Sequence, residues 1–76
     1  MISPKDLKVG SLYKTAAMTI SFTKEIDEWV SWFLPKDNFV VYMGIENNWH
    51  SFFHLKSKKK IYYYREFYVF PFELTL

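Results

Sequence analysis

Short runs of apolar residues recur at intervals of about ten residues along this chain. β-branched and ring residues gather in short runs between turn-forming residues, the pattern of strands in a half-buried sheet. After a polar lead-in, Pro4 to Lys8, a first strand is predicted from about Gly10 to Thr15. Ala16 to Leu34 reads as two arms of a bent hairpin. The second arm has two readings. Ile26, Trp29, Val30 and Phe33 fall at helical spacing, and Thr23 would cap a short helix around 24–34 with Glu25, Asp27 and Glu28 in its first turns. Against this, Pro35 drives Leu34 into extended geometry and the rings are poor helix formers, so the strand is favoured.

Pro35-Lys36-Asp37-Asn38 is a turn by its chemistry, because proline presets φ and Asp and Asn bond their own backbone. Phe39 to Met43 reads as a buried strand stopped at Gly44, and Glu46-Asn47-Asn48 as the next turn. Trp49 to Leu55 follows as a strand, Lys56 to Lys60 as a turn and Ile61 to Arg65 as a strand. A helical turn is expected at 65–68, and a last strand over Val69 to Leu74. Pro71 confines that strand to an edge or a bulge.

Strands this short, about ten residues apart, predict an all-β, mainly antiparallel domain, a small barrel or sandwich. The stretches "LKVGSLYK", "FLPKDNFVVYMGIENNWHSFFHL" and "KIYYYREFYVFPFEL" resemble the SH3-like barrel, especially its bacterial and phage variants. The resemblance implies one SH3-like small β-barrel of about five strands over residues 1–76. Two features depart from that family. The turn at Asn38 lacks the usual glycine, and the "ALYDY"-like loop and paired ligand residues of proline-binding domains are missing, so proline-peptide binding is not implied.

A chain of 76 residues buries only about 60% of the surface it exposes when unfolded, so each large apolar side chain counts. Here 3 Trp, 6 Tyr and 8 Phe supply the area that disulfides or a metal supply in other small domains. With no cysteine, disulfides and thiolate metal sites are excluded, which fits an oxidant-poor, cytoplasmic setting, the host cytoplasm for a phage protein. The longest uncharged run, Thr15 to Thr23, is far below the ~20 residues that span a bilayer, and no signal-peptide pattern opens the chain. No membrane partner is expected.

Little here suggests catalysis. His50 and His54 of "HSFFH" would meet at one metal on a helix, but on a strand they stand about 13 Å apart, too far for one ion. They are expected as exposed strand residues. No serine sits in a nucleophile elbow, two glycines make no phosphate loop, and Glu25, Asp27 and Glu28 read as a solvated acidic loop. No enzyme, metal or cofactor is expected.

The chemistry lies in "KSKKKIYYYREFYVFPFE", Lys56 to Glu73, where clustered lysines precede a run of rings. Period two puts Ile61, Tyr63 and Arg65 on one face and Tyr62 and Tyr64 on the other, so one set of tyrosines is left over from the core. Trp29 and Trp32 likewise fall on opposite faces of a strand. Exposed rings of this kind anchor protein interfaces, which makes Trp29, Trp32, Tyr62 and Tyr64 the candidate protein-binding residues, with cations from Lys58 to Lys60 and Arg65. The size, ring content and style of the chain resemble small phage accessory proteins, implying a module that binds and modulates a host or viral protein. A nucleic-acid surface is the alternative, using Lys56, Lys58, Lys59, Lys60 and Arg65 beside the tyrosines. A structural subunit, or a homo-oligomer that covers the same rings, is a third.

Overall fold

In the computed structural model, which describes residues 2–66 and 70–74, seven strands form one antiparallel sheet. A 3-10 turn at Pro4–Asp6 precedes β1 (Leu12–Thr15), β2 (Thr19–Glu25), β3 (Glu28–Leu34), β4 (Phe39–Glu46), β5 (Trp49–His54), β6 (Lys59–Tyr64) and β7 (Phe72–Leu74). Their order across the sheet is β3-β2-β6-β5-β4-β1-β7. The count exceeds the five or so that the SH3-like resemblance implied, and both arms of the Ala16–Leu34 excursion are strands, the reading favoured from sequence. No helix forms at 24–34. Glu25 pairs with Glu28, and Asp27 takes the left-handed conformation (φ 64) that the two-residue turn between them needs. Residues 65 and 66 form a turn, and the rest of the helical turn expected at 65–68 lies outside the described residues.

The other turns follow the same chemistry. Asn47 and Asn48 both have positive φ (48 and 68), the requirement of a type I′ hairpin turn between Glu46 and Trp49. Gly44 does not stop β4 as expected. It takes φ 102 in a bulge after Tyr42, and the strand continues to Glu46. Gly44→Ala is therefore expected to lower stability by about 1–2 kcal/mol, read as a fall in Tm on the order of 10 °C.

The sheet is rolled. β1 lies five strand steps from β3, roughly 24 Å on a flat sheet. Yet the Thr15 hydroxyl of β1 donates to the carbonyl of Pro35, the residue after β3, at 2.6 Å, and accepts from the Asn38 N–H at 2.9 Å. The roll is not a closed barrel, since no ladder joins the edge strands β3 and β7 among the described residues. Its interior holds Tyr13, Leu34, Val40, Tyr42, Phe52, Ile61, Tyr63, Phe70 and Phe72, with Ile2, Leu7 and Trp32 packed against them. β7 forms an edge as its Pro71 predicts, and brings Phe72 into this core.

Candidate functional site

Alternation along β6 divides the tyrosines as predicted: Tyr63 is buried with Ile61, while Tyr62 and Tyr64 lie on the opposite face. Register then sets their neighbours. Tyr64 pairs with Trp49 of β5, and Tyr62 pairs with Ser51 of β5 and with Phe22 of β2. Trp29 of β3 joins them. Its ring stacks on Trp49 at 4.2 Å and 20°, and Trp49 stacks in turn on Tyr64 at 4.4 Å and 25°. Tyr62 meets Trp29 edge-on at 5.0 Å, and Phe22 meets Tyr64 edge-on at 5.5 Å. β3 and β5 are three strand steps apart, about 14 Å if flat, so the β2–β3 hairpin curls over this face to bring the two indoles together.

The five rings are only partly covered: Trp29 keeps 41% and Tyr64 52% of their surface. Lys24 Nζ stands 6.0 Å from the Trp29 ring and Lys60 Nζ 5.9 Å from Tyr62, cation–π contacts worth about 0.5–1 kcal/mol when exposed. Lys60 also binds Glu46 at 2.7 Å, and this carboxylate holds its ammonium above the usual lysine range. Lys24, Trp29, Glu46, Asn47, Trp49 and Tyr62 line a cleft of about 70 Å³, room for one small side chain and well below the roughly 300–1,000 Å³ of small-molecule sites.

Of the residues singled out from sequence, Trp29, Tyr62 and Tyr64 thus come together, with Lys60 at their rim. Trp32 does not join them. It lies on the inner face, edge-on to His54 at 5.0 Å and packed against the core. Lys58 sits in the β5–β6 turn with positive φ, and Lys56 beside it lines a different cleft with Asp37, Asn38, Phe39 and Leu55. Lys59 lines a third, with Thr23, Lys24, Glu25, Lys60 and Tyr62. Arg65 reaches Asn48 Oδ1 at 3.3 Å at the far end of β6. The cations of this segment are spread along the hairpin, not gathered beside the rings. Phe22 and Trp49 were not singled out. Trp49 opposite Tyr64 follows from counting back along the hairpin from its turn, but Phe22 depends on the long-range β2–β6 pairing.

The histidines are buried, not exposed as expected. The His54 ring accepts from Ser57 Oγ at 2.6 Å through Nδ1 and donates to Asn38 Oδ1 at 2.7 Å through Nε2, assigned from the amide oxygen being an acceptor. It ties the β5–β6 turn to the start of β4. His50 Nδ1 lies 3.0 Å from the Tyr42 hydroxyl, with Nε2 buried and unbonded. Burial pushes both imidazoles below their ordinary pKa, helped at His54 by the charge of Lys56. Among the described residues no three His, Cys, Asp or Glu side chains meet to hold a metal, and no helix is long and apolar enough to cross a membrane. No protein-family model, curated protein or solved structure matches the chain.

Proposed function

We propose that the chain is a non-enzymatic binding module that holds a protein partner on its curled ring face. The observation behind this is that the five rings are surplus to the core. Nine other apolar side chains fill the interior, yet Trp29 and Tyr64 keep about half of their surface in solvent. Half-open Trp and Tyr beside Lys24 and the Lys60–Glu46 pair have the composition of an interface centre with a charged rim. The cleft beside the stacked indoles, walled also by Lys24, Glu46 and Tyr62, has room for one partner side chain.

Short antiparallel strands in a rolled sheet support an SH3-like ancestry. The seven strands and unpaired edges set the chain apart from the five-stranded form. Within that fold class, a phage-type accessory protein acting on a host or viral protein in the cytoplasm fits the small size and ring content. RNA or DNA binding draws support from the hairpin lysines Lys56, Lys58 and Lys59, and from Lys24 and Lys60 beside rings. It is the weaker reading, because Trp49 spends both π faces on Trp29 and Tyr64, and Glu46 neutralises Lys60.

The test is affinity capture from host-cell extract with wild type, a Trp29→Ser/Tyr64→Ser variant and a Lys56→Ser/Lys58→Ser variant. Beside it, anisotropy of labelled oligonucleotides is read at two salt concentrations. A protein retained by wild type and the lysine variant but bound about thirtyfold more weakly without the two rings is the expected result. Oligonucleotide binding that collapses with salt and with loss of the lysines would replace the proposal. Equal capture by wild type and both variants would remove the ring face from it.

A further inference from the structure

The β2–β3 hairpin leaves one long sheet edge open. Glu25 and Glu28 close a two-residue turn, so they exchange hydrogen bonds, and bonded and non-bonded pairs alternate from there along the ladder. Glu28, Val30, Trp32 and Leu34 therefore bond inward to β2. Trp29, Ser31 and Phe33 turn their N–H and C=O groups outward, and none of the three makes a backbone hydrogen bond to another segment. Natural sheets shield such an edge with lysine, proline or brevity. The opposite edge, β7, has all but the lysine: it is three residues long, follows Pro71 and carries Glu73. From Glu28 to Leu34 the β3 edge has neither lysine nor proline. The side chains above it are apolar: Phe33 is 59% exposed and pairs across the ladder with Ile20, itself 49% exposed.

We infer that a second copy of this chain fills the edge, β3 pairing antiparallel with β3 about a twofold axis through Ser31. Only this register bonds all three outward residues of each copy. Ser31 faces the second copy's Ser31, and Trp29 and Phe33 face each other twice, as aromatic cross-strand pairs. On the inner face Val30 meets the second copy's Trp32. The charges agree with the same arrangement. Glu25, Asp27 and Glu28 crowd the hairpin tip, and the twofold brings Glu28, Asp27 and Ile26 to the second copy's Leu34, Pro35 and Lys36, so each tip gains one cation, while Glu25 comes to Asp37. A parallel pairing would instead set two acidic tips side by side. The inference goes beyond the proposed function: it rests on the β3 backbone, shares Trp29 with the ring face and leaves the outer side of Tyr64 open.

Sedimentation equilibrium over a wide concentration series tests it, with near-UV circular dichroism to follow the fold. Wild type is expected to approach twice the 9.3 kDa of one chain. Ser31→Lys sets two lysines against each other on the axis, and Ser31→Pro deletes the central outward N–H while sparing every bond to β2. Each variant is expected to sediment as a single chain with native circular dichroism. If proline perturbs the fold, the lysine variant decides. Lys36→Glu is expected to weaken the dimer about tenfold, and Trp29→Ser/Tyr64→Ser to retain it more than Ser31→Lys does. Wild type that stays a single chain throughout, or a dimer that survives both Ser31 variants, would overturn the inference.

Discussion

Replacing Phe52 with Ala is expected to remove most of the stability of this domain. Phe52 has no exposed surface, and its ring lies 5.0 Å from Tyr42, 5.1 Å from Phe72, 5.6 Å from Tyr63 and 5.7 Å from Phe70. Truncating a buried Phe costs about 3–5 kcal/mol in lost transfer energy and residual cavity. At roughly 0.05–0.15 kcal/mol per residue, a chain of this length has about 4–11 kcal/mol in all. Urea unfolding followed by tryptophan fluorescence should show the variant largely unfolded in dilute denaturant. The neighbouring Phe53, half-buried on the outer face, serves as comparison, and Phe53→Ala should cost clearly less. A loss at Phe52 below about 1 kcal/mol would mean that the interior is not organised around that ring.

Acidification is expected to destabilise the domain through its two histidines. Both imidazoles have folded-state pKa values depressed below the ordinary 6.5 of the unfolded chain, chiefly by burial. Between the two values the unfolded chain binds more protons, so stability rises with pH there. The contribution is complete above pH 6.5 and is lost as pH falls from there through the folded-state values. At His54 the added proton lies on Nδ1, which accepts from the hydroxyl and backbone N–H of Ser57. At His50 it places charge beside Tyr42 in a buried site, where burial already raises the phenol pKa. Urea midpoints measured from about pH 8 to about pH 5 should stay level down to about pH 6.5 and fall below it, and His50→Gln/His54→Gln should flatten the curve. A wild-type midpoint constant over that range would contradict the burial of both rings.

What the sequence disclosed is local. Alternation separates Tyr63 from Tyr62 and Tyr64, and turn chemistry places Asp37 and the Asn47-Asn48 pair, because each depends on residues a few positions away. The helical spacing of Ile26, Trp29, Val30 and Phe33 was incidental: Ile26 caps the turn at 95% exposure and Trp29 and Phe33 belong to the solvent face. The histidines were misplaced because a polar residue on a strand defaults to solvent, whereas these two draw partners from Asn38, Ser57 and Tyr42. The ring face was only half legible for the same reason. Which rings meet depends on the curl of the sheet, and Trp29 reaches Trp49 across two intervening strands.

The pairing of β7 with β1 also bears on how the chain emerges from the ribosome. The hairpins from β2 to β6 can form in sequence as they are made, apart from the β2–β6 seam. Tyr13, however, waits for Phe72 and Leu74 on its flank, and Phe52 waits for Phe70 and Phe72. Until synthesis has passed those residues, a nascent chain rich in rings carries an unsealed interior. Its exposure to aggregation or chaperone capture is then set by the rate of elongation up to and across β7, not by how fast any single hairpin forms.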